Sequence, residues 1–96
     1  MREITIDCAD IISPDQLWQR YIDAAKPEGA SIFGRNLDAF FDAIEVGGPG
    51  WPGKVALIFT HSYQLSTLRT GDGNGSFLDA LRDIAGKASA ATITLA

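Results

Sequence analysis

"KVALIFT", residues 54–60, decides the fold. Its apolar run, Val55 to Phe59, is too short for a helix of ordinary length and suits a strand. A run without polar alternation is expected at the centre of a sheet, covered on both faces. A central strand needs neighbours, and the chain offers two. Residues 3–8, "EITIDC", alternate polar and apolar around Ile4, Thr5 and Ile6, which predicts a strand with one buried face. Residues 91–96, "ATITLA", predict a final strand.

Helical patterns fill the space between these strands. "SPDQLWQRYIDAAKP", residues 13–27, has both ends marked. Ser13 is an N-cap, Pro14 suits the first helical position, and Gln16 completes a capping box with Ser13. Leu17, Trp18, Tyr21, Ile22 and Ala25 form the apolar stripe, and Pro27 ends the helix. A second helix starts near Asn36, with Leu37, Phe40, Phe41 and Ile44 recurring at i, i+3, i+4, i+7. The Gly/Pro loop "GGPGWPG", residues 47–53, stops it. "SYQLSTLRT", 62–70, predicts a short helix, and "GDGNG", 71–75, a loop. "SFLDALRDIAGK", 76–87, predicts a helix capped by Ser76, with Phe77, Leu78, Leu81 and Ile84 inward and Gly86 at its end.

Strands joined through helices pair in parallel with right-handed crossovers. The expected fold is α/β: a small three-stranded parallel sheet packed with about four helices, in two or three layers. At 96 residues we expect one domain over residues 1–96.

Composition narrows the function. A chain 46% hydrophobic and 21% charged is globular. A single cysteine, Cys8, allows no internal disulfide and no thiolate zinc site, which suits a reducing, cytoplasmic setting. The opening "MREITIDC" lacks the apolar core of a signal peptide, and no run is long enough to span a bilayer. The net charge of −4, with basic residues scattered, argues against nucleic acid or anionic lipid as the main partner and fits a basic protein.

The second helix carries the notable charge. Asp38, Asp42 and Glu45 follow one another at spacings of four and three, so they share a face and repel by a few tenths of a kcal/mol. Asp38 and Asp42 fall about 100° or more from Leu37 and Ile44 on the helical wheel, which places them outward. Asp38 gains from the helix dipole at the N-terminus; Asp42 and Glu45 lie too far along for that.

Catalysis finds little support beside this. His61, the lone histidine, follows the central strand, where α/β folds often place sites, yet it suits a polar loop residue equally well. Cys8, in the first strand, reads as buried filler rather than a nucleophile. Asp38 and Asp42 form no glycosidase pair, because an outward helix face is convex and offers no cleft. The echo of a calcium loop at 72–83 fails at its sixth position, where Phe77 replaces the required glycine.

At "FGRNLDAFFDAI", residues 33–44, the sequence resembles the barstar family of ribonuclease inhibitors, with an aromatic, Gly, any residue, Asn-Leu-Asp-Ala, two apolar residues and Asp. The order of elements is similar from end to end. The resemblance implies a three-stranded parallel sheet packed with helices and an inhibitor that inserts its second helix into the active site of a basic ribonuclease. It implies Asp42 as the principal anchor and Asp38 as its companion. It implies that Phe33, Gly34 and Asn36 shape the leading loop, that Phe41 stands near the interface, and that Asp83 makes a secondary acidic contact. Glu45 joins these partner-binding residues as the third acid of the helix. The chain departs from the family at Ile32, where an aromatic is frequent, at Arg35 beside the acids, and in the longer loop 45–54 that carries Trp51.

The expected function is an intracellular inhibitor or immunity protein. It binds a basic ribonuclease one to one, without cofactor or metal and without nucleic acid or membrane, and it is no enzyme. The alternative is a small acid/base enzyme or regulatory module on the same fold, which a ligand pocket at His61 would favour.

Overall fold

The computed structural model describes residues 2–69 and 75–96. Strand β1 (Arg2–Asp7) leads to α1 (Pro14–Ala25), a 3-10 turn at Ala30–Ile32 and α2 (Leu37–Val46). Then come β2 (Val55–Thr60), a 3-10 helix at Ser62–Thr67, α3 (Phe77–Lys87) and β3 (Thr92–Leu95). The strands lie in the order β1-β2-β3, all parallel, so β2 is central as expected. The fourth expected helix is the 3-10 segment, and the turn at Ala30–Ile32 carries no periodic signal. The loop expected at 71–75 lies outside the described residues except for Gly75.

The expectation for β2 needs correction. β2 is buried on one face only: Val55, Leu57 and Phe59 are inward, while Ala56, Ile58 and Thr60 are half-buried. Register explains why the run still lacks alternation. Ile58 pairs with Thr5 on one side and Thr94 on the other, so neighbouring strands shield it without a second layer of helices. The architecture is therefore two-layered. Ile4, Ile6, Val55, Leu57 and Phe59 meet buried side chains of all three α-helices in one core.

Local chemistry sets the element ends. In α1 the Ser13 hydroxyl accepts from Gln16 N (3.3 Å), but the Gln16 side chain accepts from Ile12 N (2.7 Å), one residue before the expected box. The complete capping box is in α3: Asp79 N donates to Ser76 Oγ (3.2 Å) and Ser76 N donates to Asp79 Oδ2 (3.5 Å). Gly86 does not end α3, which runs through it to Lys87. β1 stops at Asp7, so Cys8 follows the strand instead of lying in it, though its N–H still donates to Thr60 O (2.9 Å) and its side chain is fully buried. No helix among the described residues is long and apolar enough to cross a membrane.

An aromatic cluster ties α2 to this scaffold. Phe40 lies 5.5 Å from Trp18, 5.2 Å from Tyr21 and 6.3 Å from Phe59, centroid to centroid. The Tyr21 and Phe59 pairs are edge-to-face, an arrangement that contributes about 0.5–1.5 kcal/mol beyond area burial. Burial pushes the Tyr21 phenol pKa far up, and its hydroxyl donates to Gly50 O at 2.6 Å, which pins the loop after α2.

Candidate partner-binding site

α2 owes its start to Asn36. The residue is extended, its Oδ1 accepts from Ala39 N (2.7 Å), and its Nδ2 donates to Gly34 O (3.1 Å). A β-carbon on Gly34 would stand 2.9 Å from Ala39 Cβ, so only glycine lets the leading loop lie this close to the helix. Asn36 and Gly34 thus shape the loop. Phe33 does so from inside: it is 5% exposed, its ring 5.8 Å from Trp18 and 5.7 Å from Tyr21. Phe33 is a core residue, enclosed by these rings and by Gly50.

Arg35 is redirected. It adopts a left-handed conformation (φ 52°) that carries its side chain toward α1. Its Nε donates to Asp15 Oδ1 (2.9 Å), and its other nitrogens donate to Asp15 O and Gln19 Oε1 (3.1 and 3.3 Å). The cation that the sequence sets beside the acids is thereby paired elsewhere.

The three acids of α2 separate into two roles. Asp38 and Asp42 are exposed, and neither carboxylate joins a hydrogen bond or ion pair among the described residues. Asp42 rests against Gly48, in the space a β-carbon there would fill. Glu45 instead accepts from Ser89 N (2.8 Å), Ser89 Oγ (2.6 Å) and Ala90 N (2.9 Å). These donors, the Ser89 hydroxyl foremost, hold its carboxyl below the usual range. These three hydrogen bonds tie α2 to the turn before β3. The expected row of three is a free pair plus a clamp, a distinction that long-range hydrogen bonds to residue 89 hide from sequence.

An open groove of about 790 Å³ runs between the N-terminal part of α2 and α3. Asn36, Asp38, Phe41 and Asp83 line it together, with Trp18 and Phe77. Phe41 is half-buried there. Asp83 pairs with Lys87 of its own helix at 2.7 Å, both side chains exposed, so its charge is partly neutralised. Gly34, Asp42 and Glu45 lie outside the groove.

His61 is no part of this site. It is exposed in a left-handed conformation, with Nδ1 2.9 Å from Asp7 Oδ1. Asp7 is held below its ordinary pKa, first by the Ala9 N–H and then by His61.

All 96 residues, 1–96, match the family described as Barstar (barnase inhibitor). The chain belongs to the Barstar family. No curated protein matches it. Barstar members are inhibitors rather than enzymes, and the three-stranded parallel sheet with its helices is consistent with that family. Sequence alone missed Gly48 as the seat of Asp42 and Arg35 as a partner of α1. The first needs the loop's path, and the second needs a left-handed turn that arginine seldom adopts.

Proposed function

We propose that this protein inhibits a basic ribonuclease of the barnase type by laying the α2 face over its active site. The observation that supports this most is the pair Asp38 and Asp42. They stand one turn apart, exposed and unpartnered, while the cation beside them is bound to α1. A ribonuclease active site gathers Arg, Lys and His to hold phosphate. Carboxylates presented there form charge-assisted hydrogen bonds, which are roughly twice as strong as neutral ones. The mild repulsion within α2 becomes attraction in the complex.

On this reading Asp42 is the main anchor, Asp38 its companion, and Asp83 a weaker contact that must first release Lys87. The inhibitor acts inside the cell as an immunity protein, one molecule per enzyme, and blocks RNA sterically and electrostatically. RNA cleavage by purified barnase, titrated with wild type and with Asp42→Ala, tests it. Inhibition by wild type with clear loss in the variant, both folded by circular dichroism, supports the reading. No inhibition by wild type, or equal inhibition by both, overturns it.

A further inference from the structure

The two edges of the sheet differ. The order β1-β2-β3 leaves β1 and β3 each with one side unpaired by another strand. Such an edge invites a further strand unless charge, proline or a cover guards it. β1 is guarded. Cys8 N donates to Thr60 O, so the backbone of Glu3, Thr5 and Asp7 faces away from β2. Arg20 Nη1 donates to the outward carbonyl of Asp7 at 2.7 Å, and the side chains of Arg2, Glu3 and Asp7 set charge along the strand.

β3 has none of these guards. From Ala88 to Ala96 no side chain is charged and none is proline. Thr92, Ile93 and Thr94 are β-branched, a type that favours strands. Ala96 N donates to Phe59 O, so Thr94 and Ala96 turn their backbone toward β2 while Ile93 and Leu95 turn theirs outward. Among the described residues, no hydrogen bond reaches those outward groups. The nearest charges are already engaged: Lys87 pairs with Asp83 on α3, and Glu45 is bound at Ser89 and Ala90. Ile93 and Leu95 pack only partly on the core, while Thr92 and Thr94 are exposed.

Charge and symmetry select the occupant. We propose that β3 is a pairing edge for β3 of a second copy of this chain, antiparallel about a two-fold axis through Thr94. Ile93 of each copy then faces Leu95 of the other, and the outward N–H and C=O groups of both residues exchange hydrogen bonds. Thr94 stands opposite Thr94, a favourable cross-strand pair. An uncharged strand is complementary to itself, whereas the same operation on β1 about Thr5 would set Glu3 against Asp7. β3 of one copy laid on β1 of another would meet the Arg20 contact to Asp7 and leave both outer edges open to further copies. The β3 pairing closes after two copies and runs one sheet through both. A four-residue strand buries less than a standard interface, so the dimer is weak and forms at high protein concentration. None of Asp38, Asp42 and Asp83 belongs to this edge, so the dimer holds whether or not the inhibitor reading does.

The test is analytical ultracentrifugation of the full chain, with amide hydrogen exchange read by NMR, from about 10 μM to about 1 mM protein. Wild type should shift from monomer toward dimer across that range. The amides of Ile93 and Leu95 should exchange several-fold more slowly at the top of it, while those of Glu3 and Thr5 stay unchanged. Thr94→Lys sets like charges opposite each other across the axis and should remain monomeric, its fold checked by circular dichroism. A wild type that is monomeric throughout overturns the proposal. So does a dimer that Thr94→Lys leaves intact, or one whose added protection falls on β1. The wild-type exchange pattern decides the question even if Thr94→Lys does not fold.

Discussion

The carboxylate of Asp42 rests on the α-carbon of Gly48, six residues along the chain and past the end of α2. Two requirements meet there. Gly47 takes the left-handed conformation that ends the helix (φ 78°), and its N–H donates to Asp42 O. The chain then passes under the Asp42 side chain, where any β-carbon would displace it.

Gly48→Ala should therefore move Asp42 without unfolding the protein. Gly48 has no positive φ, so alanine adopts its backbone conformation freely. Gly50→Ala should behave differently. Gly50 has φ 95°, and a β-carbon there would stand 2.6 Å from Phe33 Cδ1. We expect Gly48→Ala to change the urea midpoint little while inhibition falls, and Gly50→Ala to cost on the order of 2 kcal/mol or more. Equilibrium unfolding beside a ribonuclease assay separates the two.

Asp42→Ala should lose about 1.5–3 kcal/mol of binding free energy, the value of a hydrogen bond to a charged group, which is about 10- to 150-fold in Kd. Salt should slow association of the wild type far more than it speeds dissociation. Stopped-flow association across a salt series reads both, and a flat series would remove electrostatic steering.

The Glu45 clamp gives stability a pH signature. Its folded pKa lies below the ordinary glutamate value because three donors hold the charged form. Such a group stabilises the fold fully above its unfolded pKa, and the stabilisation is lost as pH falls through the folded pKa. Glu45→Gln should unfold at lower urea than wild type at pH 7, and the gap should close as the pH drops below the usual carboxylate range. A gap that widened in acid would show that the clamp is not the charged form.

Lys26 closes α1 in a left-handed conformation (φ 46°), its N–H donating to Ile22 O. Its side chain is exposed and joins no ion pair among the described residues. Lys26→Gly should raise stability by about 1 kcal/mol, since L-residues pay roughly that much for this conformation and glycine does not. Thermal unfolding checks it.

Burial pushes the Cys8 thiol up to about 11, so little reactive thiolate exists near neutrality. A disulfide reagent at pH 8 should modify Cys8 only as fast as the protein opens, and denaturant should expose the thiol at once.

The fold was legible because its signals are local. Ser13, Asn36 and Ser76 cap their helices as side-chain chemistry dictates, and the stripes at Leu37, Phe40 and Ile44 and at Phe77, Leu81 and Ile84 point inward. The candidate site was half legible. Asp38 and Asp42 stand outward on helical period alone. The roles of Glu45 and Arg35 were hidden, because each depends on a partner far away in sequence, Ser89 and Asp15. Phe33 sits next to a glycine in a loop, and nothing in such a stretch tells a buried ring from an exposed one.

Parallel pairing has a kinetic consequence. Arg2 finds its strand partner at Val55, more than fifty residues later, and Ala56 finds Thr92. Neither pair can form early, so loop closure precedes most of the stabilising contact, which slows folding. A nascent chain that ends within α2 already carries Asp38 and Asp42 but has no sheet beneath them. The acidic helix gains its floor, and with Gly48 the fixed direction of Asp42, only after β2 has been made. A partial chain would hold the charges without the shape that aims them.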